Sequence, residues 1–446
     1  MDKRTGRPKG SLPAPLRWLG LVVRVVVGPP VRAVRGTARR VADPARQVVD
    51  YWRSERVTMR QSFVANLISS VTSLIAGLTL VGMDHRIEAV EGLFVLIPVS
   101  IGMRGNVFGA LAARLGTSIH SGLFEVSSRR EGLLYQNALA AIILTFSTAA
   151  LMGVLARSVT SLLGIDTVSV WDLTLVAFVA ALLSSVVVLV VTIIISVASF
   201  RRGWDLDSVG APLITTTGDV VTLPSLLVAS YLVGLGSVGT GLGAIAMLCG
   251  IAVTVVGWTT IRQVTRRIVR ESLPILSIAM ILDILAGTVV EPRMERVLVY
   301  PAFLIVIPGF LEKTGALGSI LSARLGSKLH LGAVTPRAKP DPVALLDASI
   351  ILALGFVSFA FIAVTTVFVA GIVGAAHPGI LTFTGVVLLA GLIATLLAAV
   401  IGYYAATTTH RFGFDPDNHT IPLVTSGMDL LGVICLVIAL VVFGVA

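Results

Sequence analysis

The sequence of 446 residues is too apolar for a water-soluble protein, since 55% of its residues are hydrophobic and only 13% are charged. A soluble domain has about a quarter of charged residues. Apolar runs of about 20 residues, long enough to cross a bilayer, recur after residue 60. Composition therefore predicts an all-α integral membrane protein and excludes a soluble globular fold.

The first 60 residues form a basic tail. They contain 14 Lys and Arg against 4 Asp and Glu, whereas the rest of the chain has 20 of each, so the tail carries the whole net charge of +10. Nucleic-acid binding is one interpretation. We prefer a cytoplasmic segment that touches anionic lipid and binds no nucleic acid, because basic residues concentrate on the cytoplasmic side of membrane proteins. Residues 14–41, with Trp18 among arginines, are predicted to form a helix lying on the membrane surface.

Eleven membrane-crossing segments follow the tail. Their predicted bounds are roughly 62–83, 91–111, 133–156, 173–199, 218–236, 240–258, 272–291, 296–321, 347–374, 380–406 and 425–445. Lys and Arg concentrate in alternate connections, for example residues 129–130, 201–202 and 262–270. The positive-inside rule places these connections and the N-terminus in the cytoplasm. An odd number of spans then puts the C-terminus outside, and we predict a multi-pass protein of the plasma membrane.

An internal repeat with an offset of 210 residues organises the chain. Residues 113–122 are identical to residues 323–332 at six of ten positions, and residues 201–219 match residues 411–429 at eight of 19. The offset predicts four segments. They are the tail 1–60, the first repeat 61–238, a linker span with a basic loop 239–270, and the second repeat 271–446.

Each repeat has five spans, so two repeats joined directly would be inverted in the membrane. The extra span at 240–258 restores the direction, because it adds a sixth crossing before the second repeat begins. The sequence therefore predicts two parallel repeats related by a pseudo-twofold axis along the membrane normal. An axis of that kind naturally encloses a central pathway.

Asp219 and Asp429 occupy equivalent positions in apolar spans. A carboxylate at membrane depth costs several kcal/mol and usually faces a cavity or a partner. If the axis brings the two together, their repulsion leaves one protonated unless they share a cation. A divalent ion matches two carboxylates, and Mg²⁺ prefers oxygen ligands and retained water. The bland alternative is that each Asp caps the start of its helix.

Other polar residues fall into two groups around this pair. A Ser/Thr cluster that precedes each Asp offers hydroxyl ligands, and these are Thr215, Thr216, Thr425 and Ser426. More remote candidates are Asn106 and the loop carboxylates, which either gather cations or make turns; the latter are Asp205, Asp207, Asp415 and Asp417. Asp283 is interpreted as a supporting or coupling-ion residue, and Glu312 with Lys313 as a locally neutral pair. Asn137 and Asp347 are predicted to be helix caps, and His120 and His330 to be packing residues.

Short motifs in this sequence resemble a known family. Pro98-x-x-x-Gly102-x-x-Gly105-Asn106 is followed by Ala-Arg-Leu-Gly-Thr at 113–117 and by His120-x-Gly122. This pattern is similar to the membrane domain of MgtE-type magnesium transporters, in the fused two-domain form of archaeal members and eukaryotic solute-carrier relatives. The Pro-x-x-Thr…Asp runs that end at Asp219 and Asp429 resemble the fifth helix of that domain.

The resemblance implies that Mg²⁺ is the transported substrate and that the fifth-helix Asp binds it in the pore. In that family two membrane domains form the pore, so this chain is expected to work as a pseudo-dimeric monomer. Two departures stand out. Gly315-Ala316 replaces Gly105-Asn106 in the second repeat, so any role of Asn106 is one-sided. The cytoplasmic regulatory domains of bacterial MgtE do not fit into sixty basic residues.

Two other functions compete with divalent cation transport. A proton-coupled transporter of an organic or anionic solute would use Asp219 and Asp429 as proton sites, with Arg104 and Lys313 facing the substrate. An intramembrane aspartyl protease also needs two membrane Asp residues. Such a protease uses two unlike motifs, whereas here both Asp residues occupy one position of a repeat. We therefore predict a transporter and not an enzyme.

Overall fold

The computed structural model describes residues 46–127, 129–202, 206–413 and 419–445, and the chain divides into two units, Met1–Val57 and Thr58–Ala446. In the first unit, residues 46–54 form a helix. The predicted surface helix at residues 14–41 lies outside the described residues. The second unit contains all of the predicted membrane spans and is the subject of the following paragraphs.

Thirteen helices and no strand are found in the described residues from Arg56 onward. In chain order they are α1 (Arg56–Val81), α2 (Asp84–Ala89), α3 (Leu93–His120), α4 (Leu133–Leu162), α5 (Val170–Arg202), α6 (Leu206–Ser230), α7 (Ser237–Thr259), α8 (Gln263–Val290), α9 (Met294–Val299), α10 (Ala302–His330), α11 (Pro342–Val373), α12 (Ile380–Phe412) and α13 (Ile421–Val442). A single 3₁₀ turn, Glu291–Arg293, follows α8.

Eleven of these helices are long and apolar enough to cross a membrane, which confirms the predicted number and the all-α membrane class. Their outer faces carry large exposed apolar side chains, such as Val186 on α5 and Ile245 and Leu248 on α7. A helix satisfies its own backbone polar groups, so such faces are stable against lipid. The polypeptide is therefore a multi-pass membrane protein.

Two helices begin well before the predicted spans. α6 starts at Leu206 and ends at Ser230, against a predicted span of 218–236, and α8 starts at Gln263 instead of residue 272. The prediction followed apolar residues, whereas a helix can continue past the membrane edge with polar and basic side chains in water. The basic residues of 263–270 thus lie on the first turns of α8 and not in a loop.

The two repeats run in the same direction. α1, α3, α4, α5 and α6 correspond to α8, α10, α11, α12 and α13, and α7 is the linker span. Because α8 is the seventh span and α1 is the first, both cross the membrane in the same sense. The linker helix is what makes the repeats parallel.

The first helix of each repeat packs against the other repeat. Gly77 of α1 lies on the backbone of Ile305 in α10, where a Cβ atom would overlap it. Gly287 of α8 lies on Val95 of α3, and a Cβ atom there would stand 2.7 Å from the Val95 Cα atom. Both partners are related by the 210-residue offset, as a twofold axis requires. This exchange of first helices interlocks the repeats, and the sequence did not indicate it.

Polar contacts join the second and third helices of each repeat near their loop. Arg324 Nη2 lies 2.8 Å and Lys328 Nζ 2.6 Å from the Asp347 carboxylate. At the equivalent place Arg114 Nε donates to Asn137 Oδ1 over 3.0 Å. The prediction that Asn137 and Asp347 are helix caps is wrong, because both lie at least a full turn inside helices that begin at Leu133 and Pro342. They bind basic residues instead.

Candidate ion site

Asp219 and Asp429 lie inside α6 and α13, not at their starts. Asp219 is more than three turns after Leu206 and Asp429 about two turns after Ile421. Both side chains are buried, with 3% and 6% of their surface exposed. Neither residue is therefore the cap of its helix, and the alternative that assigned both Asp residues to capping is wrong.

Small residues let α3 and α10 approach these helices closely. The Thr215 methyl group lies 3.3 Å from the place of a Cβ atom on Gly105, and the Thr425 methyl group 2.8 Å from that place on Gly315. The Thr425 hydroxyl donates to the Ile421 carbonyl over 2.8 Å and hydrogen bonds with Ser319 of α10 over 3.1 Å. The predicted hydroxyl cluster therefore lies at the contact between the second and fifth helices of a repeat.

Asn106 connects the two repeats. Its Nδ2 atom on α3 donates to the Ser426 hydroxyl on α13 over 3.2 Å, and both side chains are buried. Ala316 stands at the equivalent position of α10, so the second repeat has no such bond. The side chain of Ser426 is thereby held next to Asp429 on the turn that faces the other repeat. Thr216, the counterpart of Ser426, is also buried.

The acidic residues form one electrostatic group across the two repeats. Asp219 interacts with Asp429, and also with Glu312 and Lys313 of α10. Asp283 of α8 interacts with Asp429 as well. Asp429 of α13 is thus within electrostatic range of one aspartate on α6 and one on α8.

Several oxygens of this group have no hydrogen-bond partner among the described residues. They are Asp219 Oδ2 and both carboxylate oxygens of Asp283, which is completely buried. The Ser426 hydroxyl lies near the Asp283 carboxylate, but the two do not meet the geometric criteria of a hydrogen bond. Leaving a buried carboxylate unpaired is costly, so such oxygens are candidates for binding a cation.

Glu312 and Lys313 form the ion pair that the sequence suggested. Lys313 Nζ lies 3.3 Å from Glu312 Oε1 and also donates to Ser69 of α1. Ser73, one turn further along α1, donates to the other Glu312 oxygen. Hydrogen bonds from α1 therefore hold the pair in place, in addition to the attraction between its two charges.

The remaining predicted ligands cannot be placed at this site. Asp205, Asp415 and Asp417 lie outside the described residues, and so does the side chain of Asp207. The side chains of His120 and His330, which were predicted to be packing residues, also lie outside the described part. Among the residues that are described, no three His, Cys, Asp or Glu side chains converge as a ready-made metal cage.

Asp283, Glu312 and Lys313 interact electrostatically with Asp219 or Asp429, which the prediction of supporting roles for them did not include. They were given minor roles because their counterparts in the other repeat, Ser73, Gly102 and Met103, carry no charge. The signal that could have found them was their charge in apolar spans, since an ionisable residue at membrane depth indicates function by itself. Requiring a charged counterpart in the other repeat excluded these three residues from the predicted ion site.

Comparison with known proteins agrees with this architecture. Residues 97–229 and 307–439 each match the MgtE family, which is described as a divalent cation transporter. The two matches are offset by 307 − 97 = 210 residues, which is the offset of the repeat. Together they cover 133 + 133 = 266 of the 446 residues.

Curated relatives are similar over most of the chain. Solute carrier family 41 member 3 of Mus musculus is 24% identical over 403 residues, which are 83% of this chain and 80% of that protein. Solute carrier family 41 member 2 of Homo sapiens is 26% identical over 422 residues, which are 85% of this chain and 69% of that protein. No solved structure matches the chain significantly.

Proposed function

Because this chain belongs to the MgtE family of divalent cation transporters, we propose that it moves Mg²⁺ across the membrane between its two repeats, with Asp219 and Asp429 facing the ion. The observation that carries this proposal is the burial of two equivalent carboxylates inside the fifth helices of the two repeats, within electrostatic range of each other. Two buried negative charges repel each other, and a divalent cation offsets both. Mg²⁺ suits the site because carboxylate, hydroxyl and water oxygens are its usual ligands.

The direct test is ion flux into liposomes that contain the purified protein. We expect Mg²⁺ to be transported, and a panel of Mn²⁺, Co²⁺ and Ca²⁺ measures the selectivity. Gradients of Na⁺ and of pH, applied separately, show whether a second ion drives the transport. If no divalent cation crosses under any gradient, the proposal is wrong.

The second candidate function is proton-coupled transport of an organic or anionic solute. It would use a buried basic residue to attract the substrate, and Arg104 and Lys313 are the ones near the bundle centre. Arg104 Nη1 instead donates to Ser185 over 2.6 Å and to the Ala181 carbonyl over 3.3 Å. Lys313 is paired with Glu312. Arg104 Nε has no hydrogen-bond partner among the described residues, but both cationic groups have partners within the protein, which favours a cation as substrate.

We expect the connection between α7 and α8 to face the cytoplasm together with the N-terminal tail, and the C-terminus to lie outside. In a cysteine-free background, Ile261→Cys and Leu331→Cys should resist an impermeant thiol reagent applied to whole cells. Leu162→Cys should react, because the α4–α5 connection lies on the other side. All three side chains are highly exposed. Labelling of Ile261→Cys from outside would show that the repeats are not both oriented as proposed.

We further propose that the ion path is built from the repeats alone, with the basic tail touching anionic lipid and one chain sufficing for the path. Removing residues 1–55 should leave Mg²⁺ flux per inserted molecule unchanged, since the whole of α1 is kept. Liposomes with and without anionic lipid separate a lipid contact from a transport role. A correctly inserted truncation that no longer transports would instead make the tail a part of the gate.

A further inference from the structure

The first helix of each repeat contacts the second helix of the other, α1 with α10 and α8 with α3. These two contacts are equivalent in the repeat but contain different residues. On one side, the Ser73 hydroxyl of α1 donates to the Glu312 carboxylate of α10. On the other side, the Asp283 carboxylate of α8 lies directly against Gly102 of α3. Positions 73 and 283 are equivalent, and so are 102 and 312. Each contact therefore holds one carboxylate, but the two carboxylates come from opposite helices.

The neighbouring position decides whether the contact also holds a positive charge. Lys313 follows Glu312, and its ammonium group interacts with both Glu312 and Asp219 and is hydrogen bonded to Ser69. Met103 stands at the equivalent position after Gly102. We call the group of Asp219, Glu312 and Lys313 the lysine side. It contains two carboxylates and one built-in cation.

The opposite group, Asp283 with Asp429, is named the aspartate side. It contains two carboxylates that interact with each other, and within the described part of the chain no basic side chain interacts with Asp283. Arg104, the nearest candidate by sequence, donates to Ser185 of α5 instead. Both oxygens of Asp283 have no hydrogen-bond partner among the described residues, although the side chain is fully buried.

We propose that Asp283 and Asp429 form the position at which one divalent cation binds, while the Lys313 ammonium group fills the equivalent position beside Asp219 and Glu312. The charges of the aspartate side add to −2 and match a divalent ion, whereas those of the lysine side add to −1. Ser73 and Lys313 are the partners of the Glu312 carboxylate. A bound cation would be the corresponding partner of the Asp283 oxygens, which have none among the described residues. The Ser426 hydroxyl, oriented by Asn106, completes the oxygen ligands with retained water.

This inference rests on the proposed cation transport and makes the two repeats unequal. A symmetric pathway would bind two ions at equivalent positions. On the lysine side, the Lys313 ammonium group occupies the place of a metal ion. The chain therefore binds one divalent cation, on the aspartate side. Asp219 acts on that ion at longer range, through its electrostatic interaction with Asp429, and it also balances Lys313.

Equilibrium binding of Mn²⁺ to the purified full chain, followed by electron paramagnetic resonance, tests the proposal. Mn²⁺ serves as the probe because it prefers the same oxygen ligands as Mg²⁺. We expect one Mn²⁺ per chain, displaced by Mg²⁺. Asp283→Asn keeps the shape and removes one of two charges at the ion, so it should weaken Mn²⁺ binding at least about tenfold. The control Asp347→Asn, a buried Asp paired with Arg324 and Lys328, should leave the affinity unchanged.

Exchanging the residues at positions 103 and 313 should change which side binds Mn²⁺. Met103→Lys places an ammonium group on the aspartate side and should abolish Mn²⁺ binding. Lys313→Met gives the lysine side the residue of its counterpart and should create a second Mn²⁺ position. Thermal unfolding in detergent identifies variants that are folded. If Lys313→Met does not fold, Asp283→Asn and Met103→Lys still decide the matter.

The outcomes separate this inference from the proposed function. Wild-type protein that transports Mg²⁺ while Asp283→Asn and Met103→Lys bind Mn²⁺ normally overturns the inference and leaves the proposed function intact. Two Mn²⁺ per wild-type chain at carboxylates of both sides also overturns it. Wild-type protein that neither binds Mn²⁺ nor transports any divalent cation overturns the proposed function itself.

Discussion

Replacing Asp219 or Asp429 by Asn is expected to reduce Mg²⁺ flux severely in each single variant, and the double variant should be little worse than the poorer single. Asn keeps the shape of the side chain and removes one negative charge, either at the ion itself (Asp429) or from the group that interacts with Asp429 (Asp219). A unit charge at about 4 Å from another, at an effective dielectric constant of about 20, interacts by about 4 kcal/mol. A loss of that size changes site occupancy by hundreds-fold or more.

The non-additivity is the decisive part of this prediction. Residues that act on one ion are coupled, so removing the second adds little once the first is lost. Two separate paths would instead lose about half of the flux in each single variant and nearly all of it in the double. Flux into liposomes at matched protein density distinguishes the two patterns. Normal transport by both singles and the double would remove these carboxylates from the mechanism.

The spans and the repeat could be predicted from the sequence, because a span is a continuous run of apolar residues and the repeat is visible as matching short motifs. A run of about 20 apolar residues has one stable placement in lipid, and eleven such runs became eleven helices. The equivalence of Asp219 and Asp429 followed from the 210-residue offset alone. Helix bounds were less predictable, since α6 and α8 extend beyond their apolar parts.

The partners of the first helices could not be predicted, because they depend on which apolar surfaces fit together. Both α1 and α8 have a Gly on the face that packs, but a Gly in the sequence does not name the helix that it packs against. The ion-site residues on α8 and α10 depend on the same packing. Asp283 lies against Gly102 because α8 packs on α3 of the opposite repeat. The sequence showed the charge of Asp283 but not its neighbours.

The second large effect is expected from the close contacts that hold the exchanged helices. Gly77→Ala and Gly287→Ala each add a Cβ atom that overlaps the backbone of the opposite repeat, at Ile305 and Val95. Overpacking of this kind costs about 1–3 kcal/mol, and backbone atoms cannot turn aside as a flexible side chain can. We expect both variants to unfold at a lower temperature in detergent and to lose Mg²⁺ flux in proportion, because the displaced helix also carries the contacts of Glu312 or Asp283.

Gly326→Ala on α10 is the matched control, since a Cβ atom there meets nothing within 4 Å. Ala favours a helix over Gly by up to about 1 kcal/mol, so this variant should be as stable as the wild type or slightly more stable. The two contacts are related by the repeat, and we therefore expect Gly77→Ala and Gly287→Ala to lower the unfolding temperature by similar amounts. If either Ala variant is as stable as Gly326→Ala, the corresponding first helix does not pack on the opposite repeat, and its polar contact there (Ser73 with Glu312, or Asp283 with Gly102) loses its basis.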